Sequence, residues 1–339
     1  LDRYAGRRSA FTGFGQTAGG MNSCRATRLI RAVPGMVAIA VVAGHAAPAA
    51  AQLPASAQLE RARASVVAVL PDWPDGRANA EEPEGSAVAI GDGTMLLTAD
   101  HVLGAARSVR LRFPDGRVVA AEIAFRDAPT DLALLRAPVT LEPLAFGTEP
   151  SLGAPVCALG NAFGLGVSLS CGVVSATARG GVGFNAVEDF IQTDAAVNPG
   201  ASGGALVDGE GRLVGVLSAI FTKSGDGDIG VNFAVSASLA QRVVEAAAIS
   251  KSPRRSLGAR LRQTPPGPQK GGLEVVSLEA GGAGQSAGLL AGDVILSIDG
   301  VPAGKLSGFR GRLERRDAEG VLMIRRAESE LQVDLEKTD

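Results

Sequence analysis

From about residue 62 to residue 235 the chain is a succession of short β-branched runs, each stopped within a few residues by Gly, Asp or Pro. Residues 86–90, 95–98, 117–124 and 212–219 are clear cases. Strand-length runs at this spacing predict a closed barrel or a sandwich. The composition agrees: 46% of residues are hydrophobic and only 4% aromatic, with 45 glycines and 18 prolines, so the core must be filled by Val, Ala, Leu and Ile between many turns. With 339 residues there is chain for two folded units. A formal net charge of -2 with acids and bases interspersed gives no field that would attract nucleic acid or an anionic membrane.

Before this β-rich body, residues 1–20 read as a leader or a mis-assigned start, since Met21 opens a better-formed one. Arg25, Arg28 and Arg31, then an apolar stretch over 32–44, then Ala49 and Ala51, make residues 21–51 a secretory signal. Cleavage would leave Gln52 first, and an uncleaved anchor is the rival reading. Residues 52–61 are small and polar. After the strands, residues 238–250 carry Leu239, Val243 and Ala247 at helical spacing, with Ser236 or Ser238 placed to cap the helix. That helix closes a first domain over 52–250. Residues 251–255 form a charged, Pro-containing linker, and 251–339 hold the linker and a second, smaller domain.

Cys24 belongs to the signal. Cys157 and Cys171 fall on two strand-like runs, 154–160 and 167–176, joined by a Gly-rich turn. A hairpin would set the two sulfurs opposite one another for a disulfide in an oxidising compartment; two buried free thiols are the equal alternative.

The chemistry-bearing peptide is Asp194 to Gly204. Ser202 is flanked there by Gly200, Gly203 and Gly204, which allow turns that expose a hydroxyl and converge backbone N–H groups. Gly200, Ser202 and Gly204 also satisfy the G-x-S-x-G elbow of α/β-hydrolases, but that fold needs a histidine after the serine, and none follows. The chain has two histidines. His45 lies in the signal, so His101, at the end of an apolar run, is the sole imidazole available as a general base. In the order His, Asp, Ser the orienting acid comes between them. Asp131, at the entry of the apolar run 132–135, is favoured over Asp127 and Asp100 because burial forces a carboxylate to find a partner.

These three motifs, Gly85 to His101, Asp131 to Leu135 and Gln192 to Gly204, together resemble the HtrA/Deg family of serine proteases. The resemblance implies a mainly β chain, a chymotrypsin-like double β-barrel followed by a small α+β PDZ domain. Position by position it makes His101 the base, Asp131 its orienter and Ser202 the nucleophile, with the N–H groups of Gly200 and Ser202 as oxyanion hole. Ala201 and Ala205 stand where the family commonly has Asn and Pro. The substrate pocket would be walled by residues 193–196, 217–220 and 230–234, with Ala196, Ser218, Val231 and Phe233 lining it. Without a charge at its base it would take small or medium aliphatic residues. Ser256 and then Leu257, Gly258 and Ala259 match the carboxylate loop of a PDZ domain, which holds C-terminal peptides by strand addition, and a helix over 307–315 would face it with Phe309 and Leu313, or bury them as core. The family further implies unfolded or misfolded substrates, a homotrimer, a periplasmic or secreted location and no cofactor. A silent barrel serving as a peptide-binding chaperone or scaffold is the rival function. Asp226 and Asp228 read as a surface turn rather than a calcium loop, and no catalytic zinc site is indicated.

Overall fold

The computed structural model describes residues 56–74, 85–220, 229–249, 255–265, 271–315 and 317–335. The signal-like segment, the turn at Asp226 and most of the linker lie outside these residues. No helix among the described residues is long and apolar enough to cross a membrane.

A short helix, α1 (Ser56–Ala64), leads into the first barrel. Its strands are β1 (Val66–Asp72), β2 (Gly85–Ile90), β3 (Met95–Ala99), β4 (Ser108–Arg112), β5 (Val118–Asp127) and β6 (Leu132–Arg136), with the one-turn helix α2 (Asp100–Leu103) after β3. They close in the order β1-β2-β3-β6-β5-β4. β2 is buried at every position and β1 at all but its last, whereas β5 alternates exposed and half-buried residues. Continuous burial marks strands covered on both faces; alternation marks one that meets water on its outer side.

The second barrel is built from β7 (Pro155–Gly160), β8 (Ser168–Arg179), β9 (Phe190–Thr193), β10 (Ala205–Val207), β11 (Leu213–Ile220) and β12 (Asn232–Ser236), closing as β10-β11-β12-β9-β8-β7. Val66, Val88, Leu97 and Leu132 of the first barrel pack in one cluster with Leu159, Phe190, Val216 and Phe233 of the second. This shared core fixes the seam between the barrels, where the chemistry-bearing residues meet. β7 and β8 pair with Cys157 opposite Cys171, and a disulfide joins them. Helix α3 (Ala237–Ala248) follows, its Ser236 side chain accepting from the Leu239 amide at 3.2 Å, with Leu239 and Val243 buried on the face the spacing predicts.

The third unit has strands β13 (Ala259–Gln263), β14 (Leu273–Leu278), β15 (Val294–Ile298), β16 (Val301–Pro302), β17 (Val321–Arg326) and β18 (Ser329–Asp334), with helices α4 (Ala283–Ser286) and α5 (Leu306–Glu314). The sheet runs β13-β14-β15-β17-β18, leaving β13 at an edge. Two barrels and an α+β unit are the architecture the resemblance implies. Helix α1 takes up residues 56–61, read as merely small and polar, and residues 62–64, read as the start of the β-rich body, whose first strand begins only at Val66.

Helix α5 lies against the second barrel through glycines. A Cβ on Gly311 would come within 2.0 Å of the Glu188 carbonyl, and one on Gly308 within 2.9 Å of the Gly180 Cα. Beyond its end, Arg315 is 1% exposed and reaches Asp189 at 3.2 Å, Asp317 at 2.7 Å and Glu149 at 2.5 Å.

Candidate active site

Ser202 sits in a turn that only glycine-rich sequence permits. Gly200 and Gly203 have φ of +91° and +84°, and a Cβ on Gly203 would lie 2.1 Å from the Ser86 carbonyl. The turn is tied to the other barrel: the Ser86 amide donates to the Ser202 carbonyl at 2.7 Å, and the Ser86 hydroxyl donates to the Gly200 carbonyl at 2.8 Å. From the β7–β8 loop, the Phe163 amide donates to the Pro199 carbonyl at 2.7 Å. A trans peptide points its N–H opposite its C=O, so this bond turns the Gly200 N–H away from that loop. Neither the Gly200 nor the Ser202 amide finds an acceptor among the described residues.

His101 rides on α2, at the end of β3, and its imidazole Nδ1 lies 2.8 and 3.0 Å from the two carboxylate oxygens of Asp131. Asp131 has φ of +60°, a left-handed conformation uncommon outside glycine. The strain is held by four bonds: its carbonyl accepts from the Asp100 amide, and its carboxylate accepts from the His101 amide, the imidazole and the Ser218 hydroxyl, the last at 2.7 Å. Burial of the ring works against protonation. The hydrogen bond and charge of Asp131, with the charge of Asp100, outweigh it and raise the His101 pKa above the ordinary imidazole value. The Ser202 hydroxyl donates to the Ser218 carbonyl at 3.3 Å rather than to the imidazole.

His101, Asp131 and Ser202 open on one cleft of about 440 Å3, lined further by Phe184, Asn185, Val197, Asn198, Pro199 and Ser218. Of the four residues proposed as pocket walls, Ser218 alone lines it. Ala196 is exposed with its amide on Ser170, Val231 is half-buried against the core, and Phe233 is 4% exposed and stacks edge-on with Phe184 at 5.8 Å. Phe184 and Asn185 belong to a loop that no β-pattern could place here. It is folded around Glu188, whose carboxylate accepts four amides, those of Val182, Gly183, Phe184 and Asn185.

A second groove, of about 650 Å3, runs between β13 and α5, with Leu257 and Ala259 at one wall and Leu306, Phe309 and Leu313 at the other. Gly258, with φ of +62°, turns the loop between them, and its amide is taken by the Ser256 hydroxyl at 3.1 Å. Phe309 and Leu313 serve twice, since both are also buried in the core of this unit.

An imidazole, a carboxylate and a serine hydroxyl gathered where two six-stranded barrels meet, followed by an α+β unit with an open sheet edge, define the trypsin-like peptidase class with an appended PDZ domain. The sequence matches the trypsin-like peptidase domain over residues 85–216 and the PDZ domain over 247–334. It is 33% identical over 258 residues to the periplasmic pH-dependent serine endoprotease DegQ of Escherichia coli, covering 71% of this chain and 56% of that protein. It is also 33% identical over 242 residues to the periplasmic serine endoprotease DegP of the same organism, covering 68% of this chain and 51% of that protein. The chain thus spans about half the length of these relatives. Among solved structures, the HtrA-type protease AlgW with tripeptide superposes with a TM-score of 0.63 at 32% identity, covering 84% of this chain and 96% of that one. The chain belongs to the HtrA family of serine proteases.

Proposed function

We propose that this chain is a serine endopeptidase in which Ser202 attacks the scissile carbonyl, His101 is the general base and Asp131 orients it. With Nδ1–H held by Asp131, the Nε2 lone pair faces the cleft. Rotation of the Ser202 side chain away from Ser218 brings its hydroxyl to Nε2, which takes the proton as Oγ bonds to the carbonyl carbon. The oxyanion meets the Gly200 and Ser202 amides. The imidazolium then protonates the leaving amine as the C–N bond breaks, and a water deprotonated by Nε2 hydrolyses the acyl-enzyme ester. The observation that carries this reading is the single cleft containing all three groups beside two amides without acceptors.

The apolar side chains of Phe184, Val197 and Pro199 support cleavage after small or medium aliphatic residues. A peptide-library digest with cleavage chiefly after Arg or Lys would overturn that preference. The open edge of β13 and the Leu257 loop support capture of C-terminal peptides by strand addition. Unfolded or damaged envelope proteins as substrates, a homotrimer, and export under the segment 21–51 followed by a protease domain over 52–250 complete the proposal, on the strength of the family.

The test is turnover of an unfolded protein together with labelling by a serine-directed phosphonate. The intact chain should do both, and Ser202→Ala should lose labelling and drop turnover by roughly 10⁶-fold. An intact chain that binds unfolded protein but neither reacts nor cleaves would be a silent scaffold, and the proposal would fail.

A further inference from the structure

α2 is a single turn of four residues, too short to hold itself, yet it must present the imidazole to the cleft. Asp131 grips its first turn, and the Trp73 ring N–H donates to the Leu103 carbonyl at 2.8 Å. The strongest grip comes from Arg126 at the end of β5. Its guanidinium donates to the Asp100 carboxylate at 2.5 Å, to the Gly104 carbonyl at 2.9 Å and to the Asp100 carbonyl at 3.3 Å, spanning the turn from end to end. Asp100 is only 8% exposed, so a carboxylate is buried one residue before the imidazole, in addition to Asp131.

We propose that Asp100 and Arg126 are a positioning pair for His101. Arg126 fixes the turn that aims the ring and offsets the Asp100 charge that the ring would otherwise feel in full. This rests on His101 being the base. The charged groups around the ring, among the described residues, come from three elements: Asp100 on α2, Arg126 on β5 and Asp131 on the turn before β6. The adjacent Asp127 carboxylate is engaged by the Thr130 hydroxyl, and the second barrel brings to the cleft only the hydroxyls of Ser202 and Ser218, the amides of Asn185 and Asn198, and apolar groups. A fixed guanidinium chelating one carboxylate and two carbonyls cannot be imitated by lysine, which is a point charge on a flexible stem.

Signs follow from charge. Removing the Asp100 carboxylate withdraws a group that favours imidazolium, so Asp100→Asn lowers the His101 pKa. Removing the guanidinium leaves that carboxylate unopposed, so Arg126→Gln raises it. Each shift should be about half a unit for a ring partly open to water. In the Asp100→Asn background Arg126→Gln should raise the ring by a similar amount, back toward wild type, because the fields of two charges on one ring add.

The experiment is an NMR titration of the His101 ring in the full chain carrying Ser202→Ala, with His45→Gln removing the only other imidazole. Opposite shifts for the two single variants, and near-cancellation of the two in the double, support the pair. Rings that titrate alike in all variants, or shift in one direction, would overturn it and leave Arg126 a structural clamp. Should Arg126→Gln not fold, Arg126→Lys takes its place: the charge survives, so the ring should titrate near wild type while kcat falls with KM little changed, and a shift as large as that of Asp100→Asn would count against the pair. In chains with Ser202 restored, the acid limb of kcat/KM should move with the ring. Rings that shift as stated in a chain with no peptidase activity at any pH would uphold the pair and defeat the protease reading instead.

Discussion

The Ser86 hydroxyl accepts from the Asn161 amide and donates to the Gly200 carbonyl, both at 2.8 Å, while its own amide holds the Ser202 carbonyl. One fully buried side chain of the first barrel therefore sets the height of the nucleophile's turn in the second. Ser86→Ala removes both side-chain bonds and strands a buried Asn161 amide, a loss of roughly 1–3 kcal/mol. Because the damage falls on the oxyanion turn rather than on the walls of the cleft, kcat should drop by about tenfold or more with KM little changed. Steady-state kinetics on a peptide ester check this, and an unchanged kcat would show that the turn holds its shape without Ser86. The sequence points to Ser202, His101 and Asp131 through residue type and order alone. It is silent on Ser86, because its partners lie 75 and 114 positions away and meet it only once both barrels have closed. The same holds for Phe233, which is not among the residues lining this cleft. Its strand was read correctly, but which face looks into the cleft depends on the aromatic packing with Phe184 and Phe190.

Among elements, the β7–β8 hairpin does most to connect stability with the site. Its disulfide spans 14 residues, and its loop carries the Phe163 amide that holds the Pro199 carbonyl. A cross-link of this span stabilises by about 3 kcal/mol, largely by restricting the unfolded chain. Replacing both cysteines by Ala, the residue that leaves no buried polar group at Cys157, should lower the thermal midpoint by several degrees. Activity below the midpoint should fall as well, since a looser hairpin holds Pro199 less firmly. Thermal melts of the wild type with and without reductant are the check; equal midpoints, with both thiols shown free by titration, would dismiss the disulfide as a stabiliser. The strands themselves were legible because a β-branched run bounded by Gly or Asp has few other uses. Helix α1 was not, since its sequence has little apolar periodicity and takes its fold from Ala62 packing into the shared core.

At the scale of the whole molecule, the question is what keeps the α+β unit on the barrels, and the answer centres on one cation. Arg315 is enclosed by Asp189, Glu149 and Asp317, and Ser238 also binds Asp317. Burial opposes ionisation of Asp317, but the bonds from Arg315 and Ser238 win and hold its carboxyl below the usual carboxylate range. Such a group stabilises above its unfolded pKa, and that contribution fades as the pH falls toward its folded value. Arg315→Leu leaves Asp189, 2% exposed, as a buried charge without its partner, which costs roughly 3–5 kcal/mol. The glycines of α5 meet the backbone of Gly180 and Glu188 rather than apolar side chains, so the unit should undock rather than repack. Differential calorimetry should then resolve two transitions where a single one is expected of the wild type, and trypsin should cut faster at Lys251, Arg254 or Arg255. Adding Asp189→Leu removes the stranded charge, and swapping a buried pair for apolar residues is often near neutral. The double variant should therefore recover much of the single transition, and a double variant as unstable as Arg315→Leu would place the cost elsewhere than in an unpaired Asp189.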